Sequence, residues 1–376
     1  VVLLKLEVLK VCSVKTMRNF IVVFFTVFSF VFQVASQQTL PVDTPKPHAV
    51  SWWFSSGFEN NSHETHSYLG INGVNHLSTS IPIFLKTMFA WEPYFEHEHQ
   101  LDDWVADGKP PAVSNDLCIT WIGHSTFLIQ IGGVNIITDP VFGALNKIMY
   151  PRKTPCGVAF IDLPKIHVVL ISHNHRDHTD KKSLRMLQKR DNPLCLVPTG
   201  CSELIRSFGF SEIEELNWWD SYHYSNNAKL SFLPAWHWSG RALYDENTSL
   251  WGSWMIQAQG RTIYFAGDSA YHPDFYKVIA AAYSSIDVAM MPIGPNEPRK
   301  YMRDEHMSAE EAGQAFVDLN AKIFIPMHWG TFRLGPDKFI DPINRLNKWW
   351  QDHNLPVQKN KTLRLVKLGE QVFVNQ

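Results

Sequence analysis

Residues 173–178 read His-Asn-His-Arg-Asp-His and follow the apolar run 166–171 after a single serine, Ser172. That run has the length and β-branched content of a buried strand. Side chains two apart on extended backbone share a face, so His173 and His175 can reach one metal ion. Asp177 and His178 fall on the turn that follows and can reach a second. A surface has no use for this density of ligand atoms, and a core cannot satisfy it without a cation. The bland alternative, a polar loop that happens to be rich in histidine, does not explain why the run ends a buried strand. A chain carrying this motif has to fold so that a strand terminates at a metal centre.

Three further positions repeat that placement. His237 follows the apolar segment 232–236, Asp268 follows 263–267, and His328 follows 323–327. Taken singly, a histidine after a strand is more often a hydrogen-bonded structural residue. Four ligand-bearing strand ends in one chain are a pattern. Seventeen histidines in 376 residues fit a metal protein, while a net charge of −2 lacks the basic excess that nucleic-acid binding calls for.

The pattern along the chain predicts an α+β fold. Residues 118–131 alternate in part, Gly132-Gly133 makes a tight turn, and 134–138 returns as a strand. Further strands are expected over 194–197, 230–235, 254–257, 262–266, 288–292 and 323–327. Helices are expected over 181–189, 202–208 and 309–319, the last with Ser308 and Glu311 at capping-box spacing. Polar ligands at strand ends, with strands first and then strands alternating with helices, suggest two packed sheets covered by helices.

The ligand order resembles the metallo-β-lactamase superfamily, whose signature is His-x-His-x-Asp-His followed by His, Asp and His at strand ends. The segments ITWIGHSTFLIQIGGVNIITDP (119–140), LISHNHRDHTD (170–180), LWGSW (250–254), YFAGDSAYH (264–272), PIGPNEPRKYMRDEHMS (292–308) and HWGTF (328–332) are similar to the N-acyl-phosphatidylethanolamine-hydrolysing phospholipase D family. The similarity runs from about residue 119 to about residue 370. Arg176 inside the motif and Ser269-Ala270 after the aspartate depart from the family pattern but leave the ligands intact.

The resemblance implies an αββα sandwich of two mixed sheets flanked by helices, holding two zinc ions. His173, His175 and His237 would hold one ion, Asp177, His178 and His328 the other, and Asp268 would bridge them. Borderline-soft zinc accepts imidazole nitrogen and carboxylate oxygen alike, although iron or manganese would also take this set. His306, between two ligand-bearing strands, becomes an active-site residue expected to contact a phosphate oxygen and to take part in proton transfer. His124 has two readings, a structural histidine that holds the loop beside the metals or a further participant. The implied reaction is hydrolysis of N-acyl-phosphatidylethanolamine to N-acylethanolamine and phosphatidic acid by a hydroxide shared between the metals, with Asp177 and His306 as catalytic residues. A lactonase or a hydrolase of soluble phosphodiesters is the rival with the same ligands, and a non-catalytic lipid-binding relative is a third reading. A homodimer is also implied.

Three regions are expected. Residues 1–36 read as a signal peptide or hydrophobic anchor, with Met17-Arg18, the apolar run 20–32 and the small residues Ala35-Ser36. That segment predicts entry into the secretory pathway, whereas the resemblance implies association with a membrane. Residues 37–116 form a Pro-rich linker and an aromatic-rich stretch, in which Phe84, Leu85, Met88, Phe89 and Trp91 could face lipid. Residues 117–376 are the catalytic domain. Past the apolar segment, Cys118, Cys156, Cys195 and Cys201 show neither a CxxC pair nor zinc-finger spacing.

Overall fold

The computed structural model describes residues 101–374, except 102, 107, 148–149, 225–227, 243–244, 284 and 356–360. The signal-like segment, the linker, the stretch 81–91 and His63, His66, His97 and His99 lie outside the described residues. Among the described residues no helix is long and apolar enough to cross a membrane.

Two seven-stranded sheets carry the fold. The first is built from β1 (Leu117–Gly123), β2 (Thr126–Ile131), β3 (Val134–Thr138), β4 (Val168–Leu170), β5 (Leu194–Pro198) and β6 (Ile213–Leu216). The C-terminal β14 (Gln371–Val374) joins it at the edge beside β1. The second contains β7 (Ser221–Tyr224), β8 (Ala228–Leu233), β9 (Ser253–Ala258), β10 (Arg261–Phe265), β11 (Val288–Pro292), β12 (Ile323–Met327) and β13 (Thr362–Leu363). Both sheets follow one plan, four antiparallel strands continued by three parallel ones. In order along the chain the helices are α1 (Lys181–Asp191), α2 (Ser202–Arg206), α3 (Pro273–Ala282), α4 (Arg299–Met302), α5 (Ala309–Asp318) and α6 (Asp341–Asp352).

Strands buried on both faces are mostly apolar, and β1, β2, β3 and β11 are buried throughout, with the polar pair Gln130 and Asn135 hydrogen-bonded to each other between β2 and β3. Leu184 and Leu187 of α1 close one outer face against Val169, Ile137 and Cys195 of the first sheet. Phe316 of α5 stacks on Phe324 of β12 and meets Trp350 of α6 on the other side. The αββα sandwich expected from the sequence is the fold observed. Its packed body reaches back to Leu101, which is buried, and Ala106 N–H donates to Leu368 O at 2.7 Å.

One expected element divides. Residues 118–131 are not a single strand; the chain breaks at Gly123-His124-Ser125 into β1 and β2, which then pair with each other. The break puts His124 (φ 54°) at the end of β1, held by Trp121 Nε1–H donating to its carbonyl and by its own N–H donating to Thr331 Oγ1. Cys118, Cys156, Cys195 and Cys201 are free thiols.

The LWGSW segment ties the sheets together beneath the histidine motif. Gly252 N–H donates to Ser172 O at 2.9 Å, Trp254 Nε1–H to Ile171 O at 3.0 Å, and Trp251 Nε1–H to Ala235 O at 3.0 Å. A Cβ on Gly252 would stand 2.2 Å from Leu233 O and 2.5 Å from Phe232 Cζ, both in the core. Gly252→Ala is therefore expected to cost about 3 kcal/mol through overpacking. By thermal melting that corresponds to a fall of roughly 6–12 °C in Tm for a domain of this size, and an unchanged Tm would remove the steric argument.

Candidate metal centre

Strand ends from both sheets converge on one place. β4 leads into His173, β8 runs out towards His237, and β10 and β12 deliver Asp268 and His328. Crevices beyond the carboxyl ends of parallel strands are the usual binding sites of such sheets. Three residues here, His124, Asp139 and His328, hold positive φ without being glycine. Backbone of that kind persists only where the surroundings enforce it, and it gathers at functional sites.

The ligand atoms fall into two adjacent groups. His173, His175 and His237 form one: His173 Nε2 lies 2.8 Å from His175 Nδ1, and His175 Nδ1 lies 3.2 Å from His237 Nε2. Asp177, His178 and His328 form the other, joined by His124. Asp268 Oδ2 sits between them, 3.1 Å from Nε2 of both His178 and His328, 3.8 Å from His237 Nε2 and 4.0 Å from His173 Nε2. The structure thus brings together all seven residues expected as ligands, and candidate groups that overlap these add Asp139 and His306.

Outer hydrogen bonds decide which ring atom each histidine presents. His237 Nδ1–H donates to Glu305 O at 2.8 Å and His328 Nδ1–H to Gly294 O at 2.9 Å, so both aim Nε2 inward. His178 Nδ1–H donates to Asp139 Oδ2 at 2.7 Å. Ser172 Oγ gives its proton to Asp139 Oδ2 at 2.6 Å and so accepts from His173 Nδ1–H at 2.9 Å, leaving His173 Nε2 for the centre. Carboxylates and carbonyls behind ligating imidazoles fix tautomer and orientation in this way in metal proteins.

Burial pushes His175 down to about 3, with His237 beside it adding to the effect. Burial and then His328 likewise push His124 down to about 3. For His178 burial also opposes charge, but Asp268 and Asp177 outweigh it and hold the imidazole well above its usual value. His328 is raised against burial to about 9, by Asp268 first and Asp177 next. Asp177 and Asp268 stay far below the usual carboxylate range, because His178 and its neighbours outweigh their own burial.

The residues fit a metal. His175 turns Nδ1 towards the other two imidazoles of its group, and Nε2 of His178 and His328, with Asp268 Oδ1, are buried and make no hydrogen bond. Buried polar atoms are ordinarily paired, so several such atoms converging on one place are suited to ligate a cation. Nitrogen donors with two carboxylates suit a dication of borderline softness, which would also neutralise the carboxylates.

His306 lies on the same face, its Nδ1 3.8 Å from Asp268 Oδ2, with its side chain 13% exposed. Its loop is anchored by Arg299, which donates to His306 O at 2.9 Å and pairs with Glu311. Asp177 is the most accessible of the inner carboxylates, at 18%. His124 Nε2 meets Asp177 Oδ2 at 3.1 Å, so the histidine at the β1 break holds a candidate ligand in place. Asp180, which the resemblance places beside the motif, turns away from it and caps α1, accepting from Ser183 N–H and Oγ–H.

One residue of the site is missing from the sequence reading. Asp139, fully buried, supports His178 and, through Ser172, His173. It ends β3 as the ligands end their strands, and that shared placement is the signal that could have found it.

A model of the beta-lactamase superfamily domain matches residues 134–329. The chain is 34% identical over 235 residues to a Saccharomyces cerevisiae protein named N-acyl-phosphatidylethanolamine-hydrolyzing phospholipase D, mitochondrial, a match covering 60% of this chain and 50% of that one. It is 30% identical over 246 residues to N-acyl-phosphatidylethanolamine-hydrolyzing phospholipase D 1 of Caenorhabditis elegans, covering 62% and 69% respectively. The match thus spans half the length of the yeast relative. Among solved structures, the Ignicoccus hospitalis metallo hydrolase Igni18 superimposes with a TM-score of 0.54 at 22% identity, over 69% of this chain and 99% of that one.

Proposed function

Since this chain belongs to the β-lactamase superfamily and has the fold of a metal-dependent hydrolase, we propose that it is a zinc phosphodiesterase of the phospholipase D type. Its substrate in this reading is N-acyl-phosphatidylethanolamine, cut to N-acylethanolamine and phosphatidic acid. The observation that carries the reading is the placement of Asp268 Oδ2 between two groups of inward-facing imidazoles. The names of the yeast and nematode relatives supply the substrate.

His173, His175 and His237 would hold one zinc ion, Asp177, His178 and His328 the second, and Asp268 both. Bound there, zinc supplies Lewis-acid activation of water and of a phosphoryl oxygen. The chain's own groups do the rest. Asp177, open enough to meet solvent, is placed to orient the attacking water as a hydrogen-bond acceptor. His306 is held neutral by burial, with Asp268 opposing that effect, and its Nδ1 has no hydrogen-bond partner. It is placed to bind a non-bridging phosphate oxygen and, on taking up the proton released by the attacking water, to pass it to the departing alkoxide. Trp238, whose ring edge meets His175 at 4.2 Å between centroids, walls the site on the other side.

The test is hydrolysis of N-acyl-phosphatidylethanolamine by zinc-loaded protein, run beside a soluble phosphodiester and a lactone. Release of N-acylethanolamine, abolished by chelator and restored by zinc, is the expected result. Zinc-loaded protein that turns over only the lactone or the soluble diester would replace the lipid substrate with the rival one.

A further inference from the structure

Helix α1 starts three residues after His178, and four of its eleven residues are exposed: Lys181, Lys182, Arg185 and Lys189. All four are cationic. At about 100° per residue they fall within an arc of roughly 100°, opposite the arc of Ser183, Leu184 and Leu187 that enters the core. Among the described residues none of the four makes an ion pair. The two carboxylates at the helix ends are engaged elsewhere. Asp180 caps the helix, and Asp191 accepts from Ile166 N–H and pairs with Arg190. Lys181 lies over the Phe208 ring, and Arg185 points towards Ser207 O.

Placing Lys181 and Lys182 in the first turn opposes the helix dipole, and no acidic residue in that turn offsets them. Lys189, in the last turn, complements the dipole, and Asp180 at the N-cap offsets it at the other end. Local stability thus accounts for part of the stripe but not for lysines at 181 and 182. Its position does suggest a use. Thr179 Oγ–H donates to His173 O at 2.7 Å, and Arg241 donates to the carbonyls of Asn174 and Thr179, which fixes the start of α1 against the metal-ligand turn. Arg176, exposed within that turn, extends the positive surface towards the site.

We infer that the exposed face of α1 docks this protein onto an anionic phospholipid bilayer beside the mouth of the site. Choosing a bilayer over another polyanion rests on the phospholipid reading above. N-acylation removes the ammonium charge of phosphatidylethanolamine, so a bilayer holding this substrate is negatively charged, and phosphatidic acid released by the reaction keeps it so. Clustered lysines and arginines are drawn to such a surface within a Debye length.

The test is co-sedimentation of the full chain with phosphatidylcholine vesicles, with and without phosphatidylglycerol. Binding is expected to increase with the anionic lipid and to fall as salt is raised. The triple variant Lys182→Ala, Arg185→Ala, Lys189→Ala should lose on the order of a hundredfold in partitioning, about fivefold per charge. Its melting and its turnover of a soluble phosphodiester should match the wild type. Equal binding to both vesicle types, salt-independent binding, or a variant that binds as well as the wild type would overturn the inference, as would retention by a DNA duplex without vesicle binding. Charge-dependent vesicle binding by a chain that hydrolyses no N-acyl phospholipid would keep the docking face and remove the substrate reading.

Discussion

Replacing Asp268 with asparagine is expected to leave the protein folded and to abolish its hydrolytic activity. The carboxylate is buried, and its Oδ2 lies within 3.1 Å of His178 and His328. Asp177 belongs to one imidazole group alone, and Asp139, which reaches His178 and His173, does so on their outer Nδ1 side, directly and through Ser172. Asparagine fills the same volume but brings one acceptor and no charge. It would leave His178 and His328 without the carboxylate that outweighs the cost of their burial. Partners that merely orient ligands change metal affinity by about 10–100-fold, so loss of the residue between the two groups should exceed about a hundredfold.

Metal content by atomic spectroscopy, read beside turnover, separates the possible outcomes. A bridging aspartate predicts fewer than two equivalents of zinc in Asp268→Asn, with wild-type circular dichroism. Two retained equivalents and near-normal turnover would show that the two groups do not need Asp268, and the proposed centre would have to be redrawn. Asp268→Ala is the harsher variant. It opens a cavity among buried imidazoles and is expected to lower stability as well, because removing one member of a buried charged set typically costs about 3–5 kcal/mol.

How much of this site could be read from the chain depended on where each residue sits. His173, His175, Asp177 and His178 are legible because four ligand atoms in six positions have no other physical use. His237, Asp268 and His328 are legible because each ends an apolar run, and those runs are β8, β10 and β12. The capping box of Ser308 and Glu311 forms as its spacing predicts. Residues that act through others are harder to see. Thr138-Asp139-Pro140 reads as a turn, since aspartate before proline is a common way to end a strand. Nothing in one sequence shows that the Asp139 carboxylate points back into the core. The edge strands β6 (IEEL) and β7 (SYHY) escape for a different reason. They are half exposed, so their side chains follow solvent as much as pairing, and the apolar pattern that marks a central strand is missing. The break at Gly123-His124-Ser125 was hidden by apolar residues on both sides of it, and only the pairing of β1 with β2 exposes it.

Asp139 gives the second large effect, and one whose mechanism can be separated from simple loss of structure. Its Oδ2 accepts from His178 Nδ1–H and Ser172 Oγ–H, and its Oδ1 accepts from Ser172 N–H at 2.8 Å. All three partners donate, so both oxygens are in use as acceptors. Asp139→Asn replaces one oxygen with an NH₂ group, and neither orientation of the amide suits the site. If the NH₂ faces His178, that ring must accept at Nδ1 and carry its proton on Nε2, which disables it as a ligand. Ser172 Oγ must then send its hydrogen to His173 Nδ1, and the second imidazole changes tautomer as well. If the NH₂ faces Ser172 N–H instead, two buried donors oppose each other at a cost of about 1–3 kcal/mol, and the backbone leading into His173 shifts. By either route metal affinity should fall about 10–100-fold, measured by competition against a chelator of known strength. Excess zinc should then restore much of the turnover, because the ligands themselves remain. A purely structural role predicts the reverse: a lower melting temperature, unchanged affinity of the folded fraction, and no rescue by metal.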